Sequence, residues 1–131
     1  MAIEMTLLGY TLVLALVHIM AAAQARTKQY GKTWNTGARD EAMPPLRPVP
    51  ARLVRAQANL METLPLFAAT VLAVVVAGRT GVMSEVGACM YLIGRLVYLP
   101  LYALGVPVVR TVVWMISSIG LVLVLWQLMC G

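Results

Sequence analysis

Four long apolar runs divide the chain. Residues 5–25 and 111–131 carry no formal charge, whereas residues 56–78 and 86–109 carry one charge each. A helix needs about 20 consecutive apolar residues to cross the hydrocarbon core of a bilayer, and no run alternates with the period of a strand. The pattern therefore predicts an all-α protein, an integral membrane four-helix bundle.

The polar intervals predict where the helices end. Glycine occupies both ends of the short interval 78–81, Ser84 follows as the predicted N-cap of the third helix, and Gly105 with Pro107 forms the last turn. Prolines in the segment 43–50 predict an extended connector there, because the residue before each proline avoids the helical region. We predict one transmembrane domain, 1–131, with spans at roughly 4–25, 53–77, 85–104 and 108–129 and a basic loop at 26–52.

Charge gives the predicted orientation. The net charge is +5, and seven of the ten Lys and Arg residues lie between residues 26 and 55. Such a loop follows the positive-inside rule, so we expect it in the cytoplasm and both termini on the non-cytoplasmic side of a multi-pass protein. In a prokaryote this would be the inner membrane. Because 61% of the residues are hydrophobic, we expect the lipid bilayer as the partner of this protein, with its anionic head groups attracted to the basic loop. We expect no nucleic acid as a partner.

The cysteines and the histidine give little sign of metal chemistry. Cys89 and Cys130 lie in apolar runs, without CxxC spacing or a nearby His, and are interpreted as buried thiols. His18 stands alone in the first run, where an interhelical hydrogen bond is its expected role. We therefore predict no metal site.

Two spans carry charges that a bilayer disfavours. Arg55, Asn59 and Glu62 share one face of the second helix, and Glu62 lies roughly 10 Å inward from Arg55 at 1.5 Å per residue. Arg95 lies roughly 15 Å from Gly105 by the same reckoning, which places it in the same half of the membrane. A desolvated charge needs a partner, so the sequence predicts a Glu62–Arg95 ion pair.

A second polar stripe follows on the third helix, where Tyr98 and Tyr102 share a face with Arg95, and Arg110 opens the fourth helix nearby. One interpretation is a structural ion pair that fixes helix register. The accompanying polar residues exceed what one pair needs, and an arginine-rich site on the basic side suits an anionic ligand, with tyrosines at the wall for entry from the head-group region.

The same residues carry a resemblance to a known family. The segment Arg55–Phe67, RAQANLMETLPLF, resembles the helix-two signature RAQxNxxExxPLF of the MAPEG family, the membrane-associated proteins in eicosanoid and glutathione metabolism. Arg95-x-x-Tyr98-x-x-x-Tyr102 resembles the family's helix-three motif, and Gln24-Ala25-Arg26 is similar to its polar exit from helix one. The similarity extends over the whole chain.

The resemblance implies a homotrimer with glutathione, as co-substrate, bound between neighbouring subunits. Arg110 corresponds to the catalytic position that stabilises the thiolate. The glutathione contacts implied by position are Arg55, Asn59, Glu62, Arg95, Tyr98 and Tyr102, with Gln57 and Arg26 as weaker candidates. Thr63 stands where some leukotriene-synthase-like members have Tyr, and Tyr98 where prostaglandin-synthase-like members have His, so the substrate class stays open.

Three functions remain open at this stage. The first is a membrane transferase or peroxidase that adds the glutathione thiolate to a small lipophilic electrophile or a lipid hydroperoxide. The alternative is a non-catalytic lipid-binding scaffold of the same fold, since the family includes one. A small transporter that uses Glu62 as a coupling site is the third, although an arginine-rich stripe would repel cationic drugs.

Overall fold

The computed structural model describes all 131 residues and contains five helices and no strands. Four of them are long and apolar enough to cross a membrane. The all-helical prediction with four membrane-crossing helices is confirmed. The helices are α1 Ile3–Tyr30, α2 Lys32–Thr36, α3 Pro48–Val76, α4 Val82–Ala103 and α5 Val108–Cys130.

The connection between α1 and α3 differs in detail from the prediction. Helix α1 continues past residue 25 to Tyr30 and ends at Gly31, whose φ of 96° favours glycine. The short helix α2 follows, which the sequence did not indicate. Helix α3 begins at Pro48, so Pro48 and Pro50 lie in its first turn and the prediction of an extended chain through them is wrong. The first turn tolerates proline because its N–H groups have no partner within the helix.

The connector before α3 folds back onto the end of α1. The hydroxyl of Tyr30 donates to the Pro44 carbonyl at 2.5 Å, and the Gln29 amide donates to the Pro45 carbonyl at 3.1 Å. The Arg47 backbone N–H donates in turn to the Gln29 side chain at 2.8 Å. These bonds satisfy backbone groups that proline-rich chain cannot pair by itself, and they set the point at which α3 enters the bundle.

Helix α4 begins one turn earlier than predicted. Gly81 is its N-cap, and Ser84 is the third helical residue rather than the cap. The Ser84 hydroxyl accepts the Gly81 N–H at 2.9 Å and donates to the carboxylate of Glu4, which is 1% exposed. The carboxylate lies near the positive end of α4, and the contact joins the first turns of α1 and α4.

Glycines allow α4 and α5 to pack closely. A Cβ atom on Gly87 would lie 2.5 Å from the Gly120 carbonyl oxygen, and one on Gly120 would lie 2.4 Å from the Gly87 carbonyl oxygen. Further along, a Cβ on Gly94 would lie 2.8 Å from the Ser117 Cβ. Small residues bring helix backbones together in this way in membrane proteins. Gly87 and Gly94 are therefore close packing positions.

The core lies among α1, α3 and α4. Phe67 and Tyr91 stack with ring centroids 4.0 Å apart, and Leu60, Val71 and Val74 pack with them at 0% exposure. Helix α5 buries only Ser117, Gly120 and Val124, so its other faces remain open in a single protomer. Tyr91 thus lies in the core one helical turn before the charged residue Arg95.

Candidate ligand site at one end of the bundle

Arg95 is the most deeply placed charge, with 0% of its surface exposed. Its Nη1 donates to Asn59 Oδ1 at 2.7 Å and its Nη2 to Thr63 Oγ1 at 3.1 Å. The Tyr91 hydroxyl lies 2.8 Å from the Thr63 hydroxyl. The guanidinium carbon is 5.1 Å from the ring centroid of Tyr98 and 5.8 Å from that of Tyr91. Neutral dipoles and aromatic faces thus surround this cation.

The predicted Glu62–Arg95 pair is wrong within one protomer. Asn59 and Thr63 are one turn apart on α3 and face Arg95, whereas Glu62 is exposed on the outer side of the helix. The step from Glu62 to Thr63 rotates a side chain by about 100° around the helix axis. Glu62 therefore presents a carboxylate on the outer surface of α3.

A polar cavity opens where α3, α4 and α5 meet, with a volume of about 240 Å³. Arg55 Nε donates to the Tyr102 hydroxyl at 3.2 Å, and the Arg110 guanidinium carbon lies 4.8 Å from the Tyr102 ring centroid. We call this cavity the arginine chamber. It is lined by Arg52, Arg55, Tyr102, Gly105, Pro107 and Arg110. Three guanidinium groups around one small volume, with no carboxylate in its wall, make it suited to an anionic ligand.

A second cavity of about 200 Å³ adjoins the chamber. We call it the inner pocket; its lining residues are Asn59, Tyr98, Arg110, Thr111 and Trp114. Arg110 lines both cavities and lies between them. The inner pocket is the less charged of the two, because Arg110 is its only ionised wall residue, and the indole of Trp114 gives it an apolar side.

The two cavities bring together five of the sequence-predicted site residues: Arg55, Asn59, Tyr98, Tyr102 and Arg110. Arg95 lies directly behind them and touches the inner pocket only through Asn59 and Tyr98. Glu62, Gln57 and Arg26 line neither cavity in one protomer. Gln57 and Arg26 are half-buried, and the Arg26 Nε is buried without a hydrogen-bond partner.

The cavity walls also contain five residues that the sequence reasoning did not assign to the site: Arg52, Gly105, Pro107, Thr111 and Trp114. Arg52 precedes Arg55 by three residues, so the spacing of one helical turn could have added it to the stripe on α3. Trp114 follows Arg110 by four residues and could have been placed on the same face of α5.

Four helices able to cross a membrane, with an arginine-lined cavity at one end of the bundle, define a polytopic integral membrane protein with a candidate polar ligand site. The model of the MAPEG family matches residues 6–130, and the chain belongs to that family. No curated protein and no solved structure matches the chain significantly.

Proposed function

We propose that the protein is a glutathione-dependent membrane transferase or peroxidase. The observation that carries the proposal is the position of Arg110, which lines both the arginine chamber and the inner pocket. A nucleophile bound beside Arg110 is therefore next to a cavity that an electrophile can enter. Some members of the MAPEG family use glutathione, which supports this choice of ligand.

The chamber fits the charges of glutathione, which has two carboxylates, one ammonium group and a thiol. Arg55 supplies a guanidinium group for a carboxylate, and a guanidinium can bind a carboxylate through two parallel hydrogen bonds. The Tyr102 hydroxyl holds Arg55 in place at 3.2 Å. The carboxylates would then lie near the head-group level, with the thiol directed towards Arg110.

Arg110 acts on the thiol electrostatically. A fixed cation beside a thiol lowers its pKa, and the thiolate that forms is the nucleophile. In conjugation the sulfur forms a bond to an electrophilic carbon. In a substitution the leaving group departs with the electron pair of its bond to that carbon. In an addition the π electrons of the attacked double bond move to its other atom, which takes up a proton. In peroxide reduction the sulfur attacks one oxygen of the O–O bond, which gives a sulfenic acid and an alkoxide that takes up a proton. A second glutathione then converts the sulfenic acid into the disulfide and releases water.

The inner pocket supplies the place for the lipophilic reactant. Trp114 and Thr111 lie on α5, whose outer side carries large exposed apolar residues such as Val112 and Met115. A reactant dissolved in the bilayer can therefore approach Arg110 from the apolar side, while glutathione enters from the polar side.

The exposed charges on α3 support a homotrimer. Glu62 is exposed on a membrane-crossing helix, and an uncovered intramembrane charge is costly. We place this face against a neighbouring protomer, so that Glu62 and Arg55 become part of a site between subunits and Glu62 can pair with the ammonium group of glutathione. Gln57 and Arg26 would complete the same interface.

We also propose that the basic loop lies in the cytoplasm and that both termini lie on the opposite side of the membrane.

A non-catalytic scaffold is the second candidate, and one cavity favours it. A groove of about 530 Å³ runs along α4 and α5 and is lined mainly by apolar side chains, among them Val86, Met90, Ile93 and Val97. It is larger than both polar cavities and can hold an acyl chain without any chemistry. In that case glutathione binding would persist without turnover.

Turnover of an aromatic halide by the purified protein with glutathione distinguishes the two. We expect Arg110→Ala to lower kcat by roughly 100-fold while glutathione binding weakens much less, because Arg110 acts mainly on the thiolate. The matched control is Arg47→Ala, which removes an exposed arginine that lines neither cavity. Wild-type protein that binds glutathione but shows no turnover above background would favour the scaffold.

A further inference from the structure

Arg52 adds a second contact between α3 and α4 at the chamber, beside the hydrogen bond from Arg55 to Tyr102. It lies in the second turn of α3, and its Nη1 lies 3.4 Å from the carbonyl oxygen of Ala103, the last residue of α4. The final carbonyls of a helix lack partners within the helix and carry partial negative charge. A cationic donor from a neighbouring helix therefore gives this carbonyl a hydrogen bond and balances the partial negative charge at the end of α4.

The same guanidinium packs against the turn between α4 and α5. A Cβ atom on Gly105 would lie 2.8 Å from the Arg52 Cζ and 3.0 Å from its Nη2, so a side chain there would require the guanidinium to shift. Gly105 also has a φ of 74°, which disfavours other residues. Arg52 thus packs directly over the turn.

The turn determines where Arg110 lies. Helix α5 begins at Val108, so Arg110 is in its first turn, five residues after Gly105. The glycine contact between α4 and α5 nearest to this turn is Gly94 with Ser117, and Ser117 lies seven residues, roughly 10 Å, beyond Arg110. Along that stretch α5 meets α4 through side chains such as Arg110 over Tyr102, so the α4–α5 turn also helps to place the first turn of α5.

We propose that Arg52 is a positioning residue that holds the α4–α5 turn against α3 and so fixes the Arg110 guanidinium over Tyr102, between the two cavities. The part that concerns catalysis rests on the function proposed above. Arg55 and Tyr102 bind directly within the chamber, whereas Arg52 acts through the backbone that carries Arg110. A displacement of about 1 Å at a reacting centre can lower a rate roughly 100-fold, so such a clamp has a measurable effect.

The test compares Arg52→Met, which keeps the length of the side chain and removes its donors, with Arg52→Lys, which keeps the charge. We expect Arg52→Met to lower kcat roughly 10- to 100-fold, with KM for glutathione changed by less than about threefold. The profile of kcat against pH should move to higher pH, because a displaced Arg110 stabilises the thiolate less. Arg52→Lys should recover part of the loss, since an ammonium group also reaches the Ala103 carbonyl.

Hydrogen exchange of the ligand-free protein tests the clamp without glutathione. The amides of Leu104, Gly105 and Val106 donate to carbonyls in the last turn of α4, and we expect all three to exchange faster in Arg52→Met than in the wild type or in Arg47→Ala. Unchanged exchange at these amides would overturn the proposal. So would a rise in KM with kcat unchanged, which would make Arg52 a direct carboxylate ligand. Faster exchange in a protein that binds no glutathione would keep the clamp and reject the proposed function.

Discussion

At the scale of single residues, the structure holds a fully buried arginine without a carboxylate. Arg95 donates to Asn59 and Thr63, and two tyrosine rings lie within 6 Å of its guanidinium carbon. A hydrogen bond from a charged donor contributes more than one between neutral groups, and aromatic faces add attraction without a charge of their own. This arrangement leaves the carboxylate of Glu62 for a partner outside the protomer.

Asn59 and Glu62 should therefore differ in their contribution to stability. We expect Asn59→Leu to lower the free energy of unfolding by roughly 1.5–3 kcal/mol, because it removes the shortest hydrogen bond of a buried cation. Glu62→Gln, on the same helix, should leave the stability of a protomer nearly unchanged. Thermal unfolding of monomerised protein in detergent measures both. Equal losses in the two variants would contradict this account of Arg95.

At the scale of helices, the contact between α4 and α5 depends on glycine. Ser117 and Gly120 on α5 face Gly94 and Gly87 on α4, so the two backbones nearly touch over two turns. This contact fixes the rotation of α5 about its axis. Trp114 precedes Ser117 by three residues, so its direction towards the inner pocket follows from this contact, while Arg110 also depends on the α4–α5 turn.

A methyl group at Gly120 should separate these helices. A Cβ there would lie 2.4 Å from the Gly87 carbonyl oxygen, so we expect Gly120→Ala to destabilise the protein by roughly 1–3 kcal/mol. The matched control is Gly9→Ala on α1, where a Cβ would meet nothing within 4 Å and helix propensity favours alanine. Thermal unfolding in detergent compares them. A Gly120→Ala protein as stable as Gly9→Ala would show that the two helices are not in close contact.

The four long helices followed from the sequence, while α2 and several contacts did not. Hydrophobic run length predicts spans, and the spacing of Arg55, Asn59 and Glu62 predicts a shared face. The spacing does not show which edge of that face turns towards α4, so the partner of Arg95 was predicted wrongly. Arg52 was missed because its role depends on a carbonyl 51 residues away in sequence.

At the scale of the whole molecule, one protomer leaves its polar face uncovered. Arg55 and Glu62 are both exposed on α3, and α5 buries only three residues. Charges on a lipid-facing surface are rare in membrane proteins, which favours an assembly that covers α3. The homotrimer implied by the family resemblance provides such a cover and would place the arginine chamber at a subunit boundary.

Light scattering of the detergent-solubilised protein tests this assembly. We expect a protein mass of three chains, and we expect Glu62→Lys to shift the population towards smaller species, because it places a like charge beside Arg55 on the covered face. Glu85→Lys is the matched control, since Glu85 is exposed near the start of α4, away from that face. A wild-type mass of one chain would contradict the proposed subunit boundary.

Glutathione binding to the arginine chamber is the central claim, and isothermal titration of the detergent-solubilised protein with reduced glutathione tests it most directly. The account predicts saturable binding by the wild type and by Arg47→Ala, and a loss of roughly 10-fold or more in affinity for Arg55→Ala, which removes a charged ligand held by Tyr102. No binding at millimolar glutathione, or equal binding by Arg55→Ala and the wild type, would contradict it.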